Sequence, residues 1–220
     1  MSVGNAEAGN WVDRLNVLHT AVLADVLDRL GYRDQAFRAG IRPLFPGARA
    51  AGMARTVQTV PVLGQIPAEP YKGEMAAVDA LGPGDVMVVS ECDWSFWGEL
   101  LSTAARYRDC RGVVIDGYTR DTKAITEMGF PVFCRGIHPA DSLGRIDVAE
   151  YDVPIRCGGV LVNKGDLILA DDDGVVVIPR DVAEETITLA EEKIRGENLV
   201  RKALSEGMSV TEAFRVHGIL

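Results

Sequence analysis

Apolar side chains at positions 22, 23, 26, 27 and 30 form one stripe at helical spacing, and residues 10–31 as a whole read as helical. Thr20 stands where an N-cap is expected, and Gly31 where a helix-ending left-handed residue is expected. Residues 41–62, rich in Gly, Pro, Val and Thr, read as strands with turns. Residues 72–81 read as a second helix. The turn Gly82-Pro83-Gly84-Asp85 then leads into the apolar run Val86-Met87-Val88-Val89-Ser90. A related phrase, Lys164-Gly165-Asp166-Leu167-Ile168-Leu169-Ala170-Asp171, marks a second strand entry rather than a solenoid repeat. Asp171-Asp172-Asp173-Gly174 turns that strand into Val175-Val176-Val177-Ile178-Pro179, as in a hairpin. A long charged amphipathic helix runs from Asp181 to about Leu204, and a short one from about Ser209 to His217. Strands and helices alternate through the middle, which predicts an α/β sandwich.

Composition narrows the class. At 220 residues and 47% hydrophobic, the chain can bury one sizeable core. No Pro/Ser-rich linker divides it, so residues 1–220 read as one domain. The charged segment from about 181 to 220 reads as an extension that packs on a neighbouring subunit. No apolar run approaches the ~18 residues of a membrane span. The start, Met1-Ser2-Val3-Gly4-Asn5, lacks the basic and apolar regions of a signal peptide. Cys92, Cys110, Cys134 and Cys157 are widely spaced and without a CxxC, which suits reduced thiols in a cytoplasmic protein. A net charge of −9 with no basic run argues against a nucleic-acid partner.

The candidate chemistry lies in two short segments. The first is the loop Trp97-Gly98-Glu99-Leu100-Leu101. The second is the pair Arg120-Asp121, which ends the strand-like run Gly112-Val113-Val114-Ile115-Asp116-Gly117-Tyr118-Thr119. One helical stretch and one apolar strand separate them, so a β/α unit can return both to one sheet edge. A glycine opening a helix offers free backbone N–H groups to a carboxylate or phosphate. Arg120 adds a planar, permanently charged anion clamp. Asp121 adds a hard oxygen ligand for a divalent cation. Together they describe a site for a 2-oxo acid. Trp94, Phe96 and Trp97 either wall that site or pack beneath it. Asp171, Asp172 and Asp173 fit a hairpin tip better than a metal cluster. Lys72, Lys123 and Lys164 read as solvated rather than as Schiff-base lysines. The three scattered histidines argue against a His-rich metal site. No G-x-S-x-G elbow and no G-x-G-x-x-G after a strand is present, so neither a serine hydrolase nor a Rossmann-type nucleotide site is supported.

The pattern resembles the RraA-like family, which contains 4-hydroxy-4-methyl-2-oxoglutarate/4-carboxy-4-hydroxy-2-oxoadipate aldolases and regulators of ribonuclease E activity. The resemblance spans nearly the whole chain. It runs from His19 through Gly31, Gly84 through Val89, Gly98 through Leu101, and Asp116 through Asp121. It continues through Phe130 to Phe133, Gly165-Asp166 and Asp173-Gly174-Val175. It implies an α/β sandwich resembling a swivelling phosphohistidine-type domain, assembled as a homotrimer or homohexamer with its site between subunits. It implies that the backbone of Gly98, Glu99, Leu100 and Leu101 binds a pyruvyl carboxylate and that Arg120 contacts the 2-oxo acid. Asp121 would ligate Mg2+ or Mn2+, with Glu99 assisting through water. A glutamate of the C-terminal helix of an adjacent subunit, Glu197 or Glu192, would join the outer shell. The activity implied is metal-dependent carbon–carbon cleavage with release of pyruvate, and oxaloacetate decarboxylation. The alternative is a non-catalytic regulator of an endoribonuclease. One departure stands out: Lys123 lies where the aldolases carry an acidic residue shortly after the pair.

Overall fold

The computed structural model describes residues 10–62, 66 and 68–219; the opening segment Met1 to Asn5 lies outside them. A helix α1 covers residues 10–15 and is followed by α2 (Thr20–Arg29). Then come β1 (Arg42–Pro43), β2 (Ala50–Pro61), α3 (Lys72–Asp79), β3 (Asp85–Val89) and β4 (Ser95–Trp97). The middle of the chain supplies α4 (Glu99–Tyr107), β5 (Gly112–Thr119), α5 (Thr122–Met128), β6 (Val132–Ile137) and β7 (Ile146–Tyr151). It closes with β8 (Ile155–Cys157), β9 (Val160–Val162), β10 (Leu167–Asp171), β11 (Gly174–Ile178), α6 (Ala183–Ser205) and α7 (Val210–His217).

The architecture is mixed α/β. One large sheet runs β1-β6-β5-β3-β2-β10-β11, with β4 beside β5 and β7 beside β2, and β8 and β9 form a separate pair. The strands β2, β3, β5 and β6 are parallel neighbours, joined by crossovers that carry α3, α4 and α5. The antiparallel hairpin β10–β11 adds to the other edge of β2. Strand residues alternate between two cores. Met87, Val89, Val113 and Ile115 pack under α3, α4 and α5, while Val86, Val88 and Val114 face β8 and β9. Burial on both faces explains why these strands read as unbroken apolar runs. Leu23 and Leu27 of α2 and Ile187 and Ala190 of α6 form a third core against the hairpin.

Two expectations change. Residues 10–31 are two helices with a break at 16–19, not one. Arg49 explains the break, because its guanidinium donates to the carbonyls of Leu15, at 2.9 Å, and Leu18. Those end-of-helix acceptors are thereby satisfied from outside. Thr20 is not the N-cap either: it is the first helical residue of α2, and Asp171 accepts from its amide at 2.9 Å and from its hydroxyl at 2.6 Å. The hairpin tip caps the helix. The first half of α6 lies on α2, and Ala183, Ile187 and Ala190 join its core. All four cysteines are free and buried. No helix among the described residues is long and apolar enough to cross a membrane.

The turn before β3 runs very close to β2. A Cβ added at Gly52 would stand 2.3 Å from the Gly84 carbonyl oxygen and 2.9 Å from Val86 Cγ2. The first of these is backbone and cannot swing aside. Gly52→Ala is expected to lower stability by about 2 kcal/mol, read as a fall in urea midpoint at unchanged m-value.

Candidate active site

The strands β4 and β5 run in parallel and end side by side, so the segments after each of them meet. The Arg120 amide donates to the Trp97 carbonyl at 3.0 Å, and the Thr119 hydroxyl donates to the same oxygen at 3.1 Å. Gly98 then opens α4, and Asp121 opens α5 with a left-handed backbone at φ 56°. That conformation is uncommon for a residue with a Cβ, although Asp tolerates it better than most. Trp97 anchors the turn from below. It is 1% exposed, stacks on Phe96 and Phe130, and donates its indole N–H to Ser102 Oγ at 2.7 Å.

Gly98 matters for space, not for backbone freedom. Its φ of −154° is open to any residue, but an added Cβ would stand 2.6 Å from Asp121 Oδ2. The Asp121 carboxylate occupies the room that a side chain would take. The Glu99 amide donates to Asp121 Oδ2 at 3.2 Å. The amides of Leu100 and Leu101 lie in the first turn of α4 and have no intrahelical acceptor. Arg120 holds the opposite side, with Nε 3.9 Å from Asp121 Oδ2 and Nη2 3.2 Å from Asp141 Oδ1.

These groups line a cavity of about 320 Å³ together with Tyr71, Glu74, Met75, Ser95 and Asp141. Gly98, Leu100, Leu101, Arg120 and Asp121 are therefore brought together as the sequence predicts, and Phe96 and Trp97 both wall the cavity and pack. Glu99 contributes its amide, while its side chain turns to Thr103 at 3.0 Å and does not line the cavity. Glu197 lies on α6, 3.6 Å from Lys193, and Glu192 lines a separate groove between α2, α6 and α7; neither reaches the cavity of its own chain. Lys123 is 90% exposed and faces Glu127 at 3.8 Å. Lys72 pairs with Glu69 at 2.5 Å, and Lys164 with Asp152 at 2.7 Å, so all three lysines are surface ion-pair partners. Asp172 and Asp173 sit at the hairpin tip, and no group of three His, Cys, Asp or Glu able to hold a metal occurs among the described residues.

Four further site residues have no local sequence signal. Tyr71 precedes α3 with a left-handed φ of 59°, and its hydroxyl donates to Asp141. The Ser142 hydroxyl bridges Glu74 Oε2, at 3.2 Å, and Asp141 Oδ1, at 3.4 Å. Hydrogen bonding to Asp141, then burial, pushes the Tyr71 phenol up to about 12. Burial, above all, pushes the Glu74 carboxyl up to about 7.

The family model described as RraA-like, Aldolase/RraA, matches residues 20–177, which include every one of these residues. The chain belongs to the RraA-like family. Among the relatives is a protein of Halalkalibacterium halodurans provisionally named 4-hydroxy-4-methyl-2-oxoglutarate aldolase, 30% identical over 93% of each chain. Protein DlpA of Legionella pneumophila is 29% identical over 93% of this chain, which spans only 33% of DlpA. A solved structure of RraAS2 from Streptomyces coelicolor is described as an unusual member of the RNase ES inhibitor RraA protein family. It matches with a TM-score of 0.76 at 32% identity, covering 88% of this chain and 96% of that one. This RraA-like protein therefore has relatives named for catalysis and relatives named for inhibition.

Proposed function

We propose that this protein is a divalent-metal-dependent carbon–carbon lyase that acts on a 2-oxo acid and releases pyruvate. The substrate class is that of 4-hydroxy-4-methyl-2-oxoglutarate, with oxaloacetate decarboxylation as a second activity. The observation that carries the reading is the meeting of Asp121, Arg120 and the free first-turn amides of α4 on one cavity. The donor set fits a hard cation. Asp121 offers a half-exposed carboxylate in the space left by the missing Gly98 side chain. Magnesium commonly takes one or two carboxylates and keeps the rest of its shell as water and substrate.

In this reading Asp121 would hold Mg2+ or Mn2+. Glu99, and Glu197 of the partner subunit in a homotrimer or homohexamer, would assist through water. The bound cation would supply Lewis acidity at the 2-oxo oxygen. The Leu100 and Leu101 amides fix the substrate carboxylate at the positive end of α4. Arg120, held by Asp141, adds a charge-assisted clamp and stabilises negative charge as it develops on the enolate. Phe96 and Trp97, both buried, give the cavity an apolar wall beside the reacting carbons. A cytoplasmic setting accords with the four free thiols.

The likeness to RraAS2 and the charge of −9 favour a second reading, a protein-binding regulator of an endoribonuclease with a basic surface. An inhibitor has no use for a cavity that joins an anion clamp to a cation carboxylate, so catalysis leads. The test is pyruvate release, coupled to lactate dehydrogenase, from 4-hydroxy-4-methyl-2-oxoglutarate and from oxaloacetate. Pyruvate formed with Mg2+ or Mn2+ and abolished by EDTA is expected. Absence of pyruvate from both substrates, together with capture of an endoribonuclease, would replace this reading by the second.

A further inference from the structure

One carboxyl group of the cavity serves neither the anion clamp nor the cation site. Glu74 lies in the first turn of α3 and lines the same cavity as Arg120 and Asp121. Its Oε2 accepts from Ser142, while Oε1 takes no hydrogen bond from any described residue. Ser142 is itself tied to Asp141, which also takes the Tyr71 hydroxyl and Arg120. The left-handed residue Tyr71 sets where α3 begins, and strained backbone of this kind persists where the surroundings hold it in place. Glu74 is thus a carboxyl group oriented on one side and open on the other. No histidine lines the cavity, and both oxygens of Asp141 are already engaged.

We infer that Glu74 is the catalytic proton shuttle of this site, taking the proton of the substrate C4 hydroxyl as a carboxylate and returning it to C3 as a carboxylic acid. The inference rests on the lyase reading above. In the first half the C4 O–H bond breaks and its electron pair forms the C4 carbonyl. The C3–C4 bond breaks, its pair becomes the C2–C3 double bond, and the C2 oxygen takes the negative charge. In the second half that double bond takes the proton from Glu74, the C2 carbonyl reforms, and pyruvate leaves. Glu74 ends as the carboxylate it began as, so no external acid or base is consumed.

The surroundings suit both halves. Burial disfavours the ionised form most strongly, Asp141 and Asp147 add to this, and the Ser142 hydrogen bond and Arg120 oppose it. The outcome, a carboxyl that titrates at about 7, is the value at which one group serves as base and then as acid near neutrality. Tyr71, raised to about 12, stays protonated and does not compete.

The test compares wild type with Glu74→Gln and Glu74→Asp, with Mg2+ present, between about pH 5 and pH 9. For wild type, kcat/KM for cleavage of 4-hydroxy-4-methyl-2-oxoglutarate is expected to rise through an inflection near 7, since kcat/KM follows ionisation of the free enzyme. Glu74→Gln should remove the inflection and lower kcat by on the order of 10², with KM little changed. Loss of CO2 from oxaloacetate requires no hydroxyl proton to be removed, and the enolate it leaves can also take its C3 proton from water after release, so it should fall far less. Exchange of pyruvate C3 protons in D2O, followed by NMR, should vanish in Glu74→Gln and persist in Glu74→Asp. Folding is checked by melting. The folded-state value of Glu74 lies above its ordinary 4.5, so its contribution to stability falls as pH rises from there to about 7. Glu74→Gln should therefore melt with wild type at about pH 4 and above it at about pH 8. Wild-type kinetics in Glu74→Gln, or an equal loss on both substrates, would overturn the shuttle and leave the lyase reading intact. No pyruvate from wild type on either substrate would remove the lyase reading and the shuttle with it.

Discussion

Asp121→Ala is expected to abolish metal-dependent pyruvate release, by at least ~10⁴-fold in kcat/KM, while the protein remains folded. A loss of that size corresponds to about 5.5 kcal/mol of transition-state stabilisation, the scale on which a Lewis acid acts on a carbonyl oxygen. The fold should tolerate the change because the side chain is half-exposed and, among the described residues, receives one hydrogen bond, from the Glu99 amide at 3.2 Å. Its left-handed φ of 56° is strained for alanine as well, which sets an expected stability loss of about 1 kcal/mol. Activity measured over a Mg2+ titration, beside a melting curve, separates the two effects. Full activity in the variant, with metal still required, would show that the cation is held elsewhere.

Gly98→Ala is the second large expectation, between 10² and 10³ in kcat. Its cause is steric. The new Cβ would meet Asp121 Oδ2 at 2.6 Å and Arg120 Nε at 3.6 Å, so the carboxylate must move by several tenths of an ångström or more. The backbone at φ −154° accepts alanine without strain, although alanine is a poorer N-cap than glycine. Stability should therefore fall by no more than about 1 kcal/mol while the metal requirement rises. Crystallography of the variant would reveal whether Asp121 has turned away. An undisturbed carboxylate with normal activity would mean that the close approach of Gly98 and Asp121 has no functional weight.

Much of this site is legible because its parts are local. Gly98 with its following helix, and Arg120 beside Asp121, each lie within a few residues at the end of a strand, and strand ends are where α/β folds bind ligands. The helix at 72–81 and the hairpin around Asp171 to Gly174 are equally local, fixed by periodicity and turn chemistry. Tyr71, Glu74, Asp141 and Ser142 carry no such mark. They lie at the start of α3 and on the segment between β6 and β7, far apart in sequence; Tyr71, Glu74 and Asp141 meet on one cavity, and Ser142 joins them by its hydrogen bonds to Glu74 and Asp141. The environment of Glu74 is equally invisible, because burial by distant residues, not its neighbours in sequence, raises its affinity for the proton.

The same division runs through the scaffold. The amphipathic stripe of α2, the unbroken apolar strands and the turn glycines are properties of short windows, so the elements, their alternation and the two halves of the proposed anion and cation site follow from local residue patterns. Where the first helix stops was decided by Arg49 reaching the carbonyls of Leu15 and Leu18, and where α2 starts by Asp171 accepting from Thr20. Both are contacts between segments remote in the chain, and satisfying helix-end groups from outside outweighs the continuous helical pattern of residues 10–31. Glu74, too, becomes a half-buried, oriented acid only through packing by remote segments, since desolvation depends on what the fold places around a group.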